Sequence, residues 1–175
     1  MAVIEAIATQ YVEADVASVT FSSIPSTYEH LQVHGSHRAT GASGGQAFYI
    51  EFNGVSSNTY ASHTMVGANA TGLGQRLDSQ PYIKIYDGIH GGFGYALENE
   101  YATILLDVQD YRDTNKNTTV QFQMFDAITY GTDSRATFGS GMWESTAAVT
   151  QIKFTPSNGN LMRGSEYTLY GLKSS

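Results

Sequence analysis

Residues 118–124, Thr-Thr-Val-Gln-Phe-Gln-Met, alternate strictly between polar and apolar side chains after the first threonine. Val120, Phe122 and Met124 occupy one phase of this stretch, while Gln121 and Gln123 occupy the other. Successive side chains of a β-strand point to opposite faces of the sheet, so the pattern predicts a strand with one buried face. A second face open to solvent is typical of antiparallel sheets.

The same alternation recurs along the chain, with turn sequences such as Asn53-Gly54 and Asp87-Gly88 between the runs. The apolar phases of these runs are Val19 and Phe21; Leu31 and Val33; Phe48, Ile50 and Phe52; Ile83 and Ile85; Ile104, Leu106 and Val108; Ile152 and Phe154; Tyr167 and Leu169. We therefore expect an all-β fold, an antiparallel β-sandwich of roughly 8–11 strands. No linker or internal repeat divides the chain, so residues 1–175 are expected to form a single domain.

The composition of the chain narrows the range of functions. Charged residues make up 14% of the 175 residues, and the net charge is −7. No stretch is rich in Lys or Arg, and nucleic-acid binding requires clustered positive charge, so no nucleic-acid partner is expected. The absence of Cys excludes disulfides and thiolate chemistry. Neither a signal peptide nor a long apolar stretch is recognised, so no membrane partner is expected.

One segment begins like a calcium-binding loop. Residues 113–117, Asp-Thr-Asn-Lys-Asn, match its opening, but Thr118 stands where the loop needs Gly and Met124 where it needs Glu. Asn and Asp also readily adopt turn conformations. We favour a polar hairpin loop that joins strands 101–109 and 118–128.

No catalytic residue, cofactor site or metal site is assigned from the sequence. Asp107, Asp110 and Asp113 are spaced by three, so on a strand their carboxylates would not converge. His30 and His34 share a strand face but would lie roughly 13 Å apart, too far to share one zinc ion. His34 and His37 would point to opposite faces, and the five histidines are expected to be exposed or hydrogen-bonded.

Four tyrosines fall on the polar phases of their strands: Tyr49, Tyr82, Tyr86 and Tyr170. Exposed aromatic rings stack on sugars or anchor protein interfaces, and we predict these four as interface residues. Ordinary cross-strand pairing is an equally open interpretation. Trp143 is expected to anchor the fold.

Four segments, taken in order, resemble a family of small virion structural proteins of tailed phages and cyanophages. They are residues 4–38 (IEAIATQYVEADVASVTFSSIPSTYEHLQVHGSHR), 48–60 (FYIEFNGVSSNTY), 141–154 (GMWESTAAVTQIKF) and 164–172 (GSEYTLYGL). The resemblance implies a jelly-roll-like sandwich with no catalytic residues. It does not cover residues 73–100, which could carry whatever is specific to this chain.

The resemblance implies a virion structural protein of the head or the tail. Because no fibre shaft or heptad repeat is recognised and the low-charge composition rich in Tyr, Ser, Thr and Gly suits polar interfaces, we expect a non-enzymatic capsid decoration (cement) protein, located in the virion and bound to the major capsid protein or other virion proteins. A homotrimer or other homo-oligomer is expected, with residues 1–12 or the C-terminal strand pairing with a neighbour's sheet. The alternative is a tail-fibre or receptor-binding module that recognises cell-surface glycans. A carbohydrate-active enzyme would need two carboxylates facing one groove, and no such pair can be placed.

Overall fold

The computed structural model describes residues 3–41, 46–68, 71–89, 99–126 and 134–173. These residues form twelve β-strands and no helix, so none of them forms a helix that could cross a membrane. The strands are β1 (Val3–Tyr11), β2 (Val19–Phe21), β3 (His30–His37), β4 (Gln46–Phe52), β5 (Tyr60–Ala68), β6 (Thr71–Gln80), β7 (Ile83–Ile89), β8 (Ala102–Gln109), β9 (Thr118–Asp126), β10 (Arg135–Trp143), β11 (Ile152–Pro156) and β12 (Glu166–Lys173). The all-β class is confirmed, with one strand more than the expected range.

The strands form two antiparallel sheets that pack against each other. The large sheet has the order β1-β12-β3-β8-β9-β10-β5-β6, and the small sheet has the order β2-β11-β4-β7. Buried side chains from both sheets form one hydrophobic core. The expected antiparallel β-sandwich is therefore confirmed, whereas the jelly-roll connectivity stays a prediction.

Four aromatic rings stack between the sheets in this core. His37 and Tyr167 come from the large sheet, and Phe48 and Phe154 come from the small one. The ring centroids of His37 and Phe48 lie 4.7 Å apart, and those of Phe154 and Tyr167 lie 5.3 Å apart, with the planes within 16° of parallel. Every apolar phase expected from the alternation is buried, so the predicted inward faces are confirmed.

β10 is a strand that the alternation did not predict, because two of its inward positions are glycines. A Cβ on Gly139 would lie 2.3 Å from Phe122 Cζ, and a Cβ on Gly141 would lie 2.7 Å from Ile83 Cγ2. Side chains of the neighbouring β9 and of β7 in the opposite sheet thus fill the space that an apolar residue of β10 would occupy. The strand therefore carries no continuous apolar phase in its own sequence.

β12 lies between β1 and β3, so both of its edges are paired within the chain. The expectation that the C-terminal strand pairs with a neighbour's sheet is therefore wrong. Gly171 lies inside this strand and leaves room for the ring of Tyr28. β1 pairs with β12 on one side and forms an outer edge of the large sheet. Pairing of residues 1–12 with a neighbour through that edge stays a prediction.

Candidate functional site

The structure brings together two of the four predicted interface tyrosines. The rings of Tyr49 and Tyr82 stack on the outer face of the small sheet with their centroids 3.7 Å apart. Partial burial, reinforced by a hydrogen bond with Tyr82, raises the pKa of Tyr49 to about 12. Tyr170 lies on the outer face of the large sheet, away from this pair. Tyr86 belongs to β7, but its side chain falls outside the described residues.

His37 does not follow the expectation that the histidines are exposed or hydrogen-bonded. His34 is exposed and His37 is fully buried, which confirms that they point to opposite faces. Within the described part of the chain, neither ring nitrogen of His37 has a hydrogen-bond partner. Burial among aromatic rings lowers the pKa of His37 to about 3, so this imidazole is neutral at physiological pH.

The segment that begins like a calcium loop is a hairpin loop between β8 and β9, as expected. Lys116 Nζ contacts the carboxylates of both Asp110 and Asp113 and so holds the place that a cation would take. The hydrogen bond from Lys116 holds the pKa of Asp110 below its usual value. The expectation that these two carboxylates do not converge is wrong, because both lie beyond the end of β8. Among the described residues, no cluster of three potential metal ligands is found.

A row of outward-facing side chains crosses all eight strands of the large sheet. Strand registers place in it, from β1 to β6, Ala6, Tyr170, Gln32, Asp107, Gln121, Ser140, His63 and Arg76. A second row beside it contains His34, Leu105, Gln123 and Phe138. We call the surface formed by Gln32, His34, Asp107, Gln121, Gln123, Phe138 and Tyr170 the amide face.

A chain of hydrogen bonds fixes one half of the amide face. Gln32 Nε2 donates to Asp107 Oδ1 at 2.6 Å, and His34 Nε2 donates to Gln32 Oε1 at 2.8 Å. The His34 ring in turn lies against the Tyr170 ring, with the centroids 5.0 Å apart. Four side chains from three neighbouring strands therefore have defined orientations before any ligand binds.

Two shallow grooves run along this surface. One, of about 490 Å³, is lined by residues that include His34, Gln123 and Glu166. The other, of about 260 Å³, is lined by residues that include Asp107, Gln123 and Phe138. Neither groove has a Lys or Arg among its described lining residues. These two grooves thus offer amides, carboxylates and aromatic rings without a lysine or arginine, whereas a third groove, of about 620 Å³, continues from Gln121 to His63 and Arg76.

Tyr170 is the residue of this surface that the sequence predicts as an interface residue, while His34 and Asp107 are considered there only as metal or catalytic candidates and are not assigned. Gln121 and Gln123 are recognised only as the polar phase of their strand. The available signal was a glutamine on the outward phase of several strands. It becomes informative once β3, β8 and β9 are known to be neighbours, because these positions then form one surface.

Comparisons with protein-family models, with curated protein sequences and with solved structures find no match to this chain. Membership of the phage virion family therefore stays a prediction from the four resembling segments.

Proposed function

We propose that this chain is a structural protein of a tailed-phage particle, and specifically a capsid decoration (cement) protein that binds the shell. The observation that carries the proposal is that the four segments resembling the virion family are neighbours in the fold. Their strands β1, β12 and β3 lie side by side in the large sheet, and β2, β11 and β4 lie side by side in the small sheet. A set of residues that determines one fold is expected to cluster in this way.

Asn53, in the second segment, forms hydrogen bonds with the backbone of the third segment. Its Oδ1 accepts hydrogen bonds from the backbone nitrogens of Thr150 and Gln151 at 2.8 and 3.0 Å. Its Nδ2 donates to the carbonyl of Ala148 at 2.8 Å. The asparagine of the Phe-Asn-Gly sequence in one segment therefore binds the backbone of the other.

Tyr28, in the first segment, contacts the fourth segment in a similar way. Its ring lies over Gly171, and its hydroxyl donates a 2.9 Å hydrogen bond to Glu5 Oε2. The hydrogen bonds from Tyr28 and Lys173 hold the pKa of Glu5 below its usual value. The residues that carry the resemblance thus depend on each other, which supports treating the four segments as one family signature.

The carboxylates near the surface favour a non-enzymatic role. Several are paired with a lysine: Glu5 with Lys173, Glu51 with Lys153 and Asp110 with Lys116. A glycosidase needs two carboxylates facing one groove, one of them free to donate a proton. The carboxylate of Asp107, which lines a groove of the amide face, accepts a hydrogen bond from Gln32 instead.

The outer edge of β1 provides a means of attachment to the particle. Val3 and Ile4 are 40% and 55% exposed, and no Lys or Pro protects the strand. An edge strand with exposed apolar side chains can extend the sheet of another chain. The bulge of β1 between Ala6 and Ala8 confines such pairing to one part of the strand. We propose that this edge contacts the major capsid protein or another copy of the chain.

Electron cryo-microscopy of purified virions tests the proposal by locating the chain and measuring its copy number. We expect regular positions on the shell, in a number comparable with that of the major capsid protein. If density for the chain were found on the tail alone, the protein would be a tail component and not a capsid decoration protein. Absence of the chain from virions would overturn the virion assignment itself.

A binding assay with undecorated shells tests the β1 edge. Ile4→Lys should weaken binding, since an edge lysine opposes strand pairing. Asn117→Lys, in the exposed β8–β9 loop, introduces the same charge three strands away and should bind normally. Equal binding by both variants would exclude the β1 edge as the contact.

A further inference from the structure

The amide face presents hydrogen-bond donors and acceptors side by side on rigid strands. Each glutamine amide supplies an NH₂ donor and a carbonyl acceptor, and Asp107 supplies carboxylate acceptors. A sugar hydroxyl also donates and accepts, so neighbouring hydroxyls pair well with such planar groups. We propose that the amide face binds an uncharged oligosaccharide.

Aromatic rings flank the polar groups on two sides. Phe138, 44% exposed, lies opposite Gln123, and Tyr170 lies opposite Gln32. Such rings can pack against the apolar C–H faces of sugar rings. Four strand spacings separate β12 from β10, so the two rings lie about 19 Å apart across the sheet. This span suits a chain of several sugar units.

The charges of this surface argue against an anionic ligand. The two grooves lined by Gln123 contain the carboxylates of Asp107 and Glu166 and no described Lys or Arg. Arg76 lies farther along the first row, and its guanidinium pairs with Asp78 at 3.1 Å. Phosphate, sulfate or sugar carboxylate groups would therefore meet negative charge without a compensating cation.

The distribution of apolar groups argues against a protein partner. The core of a protein interface is depleted of charged residues and enriched in aromatic ones. The centre of the amide face instead holds Gln32, Asp107, Gln121 and Gln123 around one half-buried apolar side chain, Leu105. The exposed apolar cluster of Met65, Phe125 and Phe138 lies at one side of this centre. The amide and carboxylate groups at the centre of the amide face can form hydrogen bonds with the hydroxyl groups of a sugar.

The hydrogen-bond chain from His34 through Gln32 to Asp107 favours binding. Ordering a flexible side chain on binding costs free energy, and these three side chains are ordered beforehand. This inference goes beyond the proposed decoration role, since it concerns the isolated chain and holds wherever the chain lies on a particle.

Isothermal titration calorimetry with the purified full chain tests the inference. The probes are linear oligomers of glucose, of galactose and of mannose, with a heparin oligosaccharide as the anionic comparator. We expect saturable binding of at least one neutral oligomer and none of heparin. Gln123→Ala and Phe138→Ala should each weaken that binding about tenfold, as the loss of one good contact predicts.

Matched variants outside the amide face provide the controls. Gln10→Ala removes an exposed glutamine from β1, and Tyr82→Ala removes a ring from the small sheet. Both should bind the oligomer normally, and thermal melting of every variant confirms folding.

Three results would overturn the inference: no binding of any neutral oligomer, binding of heparin alone, or unchanged affinity in the Gln123 and Phe138 variants. Protection of Gln121 and Gln123 by shell protein in assembled particles would assign the face to a protein and overturn it as well. The calorimetry uses no particle, so its failure leaves the location and copy-number test of the decoration role unaffected.

Discussion

The ring of Tyr28 lies directly against Gly171, so close that a Cβ on the glycine would fall 2.2 Å from Tyr28 Cγ. The contact joins the loop before β3 to the interior of β12. It explains why a glycine is needed within a strand, where this residue is otherwise unfavourable.

Gly171→Ala should therefore lower the free energy of unfolding by about 1–3 kcal/mol, the usual cost of overpacking a close contact. Urea denaturation monitored by fluorescence measures it. Gly74→Ala is the matched control, because a Cβ there meets nothing within 4 Å. In a Tyr28→Ala background the Gly171 substitution should cost little, and an undiminished cost would contradict the assignment.

Asn53→Ala should destabilise the protein by about 1–3 kcal/mol, because backbone groups of Ala148, Thr150 and Gln151 lose their partner. Its backbone φ of 53° adds strain once the asparagine is replaced. Asn53→Asp keeps the side-chain acceptor, so its free energy of unfolding should lie between those of the natural protein and the Asn53→Ala variant. Asn117→Ala, in the exposed loop, should show no change, and equal losses at positions 53 and 117 would refute the prediction.

The buried His37 predicts a specific pH dependence of stability. Its pKa is about 3 in the folded protein against 6.5 for an ordinary imidazole, so between these values only the unfolded chain takes up the proton. The free energy of unfolding therefore falls as the pH is lowered through this window, by at most about 1.4 kcal/mol per pH unit from this group. His37→Phe keeps an aromatic ring in the stack and should remove the contribution of His37 to the pH dependence of the free energy of unfolding. Urea melts from pH 7 to pH 4 measure the difference.

His63→Gln serves as the control for this measurement, since His63 is exposed. It should keep the slope of the natural protein. A His37→Phe slope identical to that of the natural protein would show that this imidazole takes up its proton in the folded state too.

Lys116 predicts how Asp110 titrates. Its hydrogen bond and charge hold the pKa of the Asp110 carboxyl below the ordinary value, so Lys116→Met should raise it. NMR titration of the side-chain carboxyl reports the change directly. Lys153→Met removes a lysine that pairs with Glu51 elsewhere and should leave the Asp110 titration unchanged. A constant pKa in the Lys116 variant would mean that the contact does not persist in solution.

Much of the fold could be predicted from local patterns. The apolar phases alone located the inward faces of eight strands, because burial of one face imposes a period of two on the sequence. β10 escaped this approach, since the core beneath Gly139 and Gly141 is filled by Phe122 and Ile83. The sequence of β10 alone does not indicate that side chains of other strands occupy the space beside its glycines, because this depends on which strands pack against it.

The candidate site could be predicted far less well, for the same reason. Gln32 and Asp107 are directly opposite each other although 75 residues separate them, and nothing in either strand's sequence indicates the pairing. The sequence also does not predict that His37 is buried without hydrogen-bond partners, because a histidine at an inward-facing position has the same local sequence pattern whether or not its ring nitrogens are hydrogen-bonded. Tyr49 and Tyr82 were correctly placed on polar phases, but their stacking depends on a contact between separate strands of the small sheet.

The position of β12 between β1 and β3 has a consequence for how the protein is made. β1 leaves the ribosome before the other strands that the structure describes, yet its partner in the sheet is the last of them, with Thr9 and Thr168 in contact across 159 residues. At ordinary translation rates β1 waits roughly ten to thirty seconds before that partner exists. During this interval the exposed apolar edge of the nascent chain is open to other chains on the same polysome. Chaperone binding to the emerging N-terminus, followed by ribosome profiling, would reveal how the cell handles that delay.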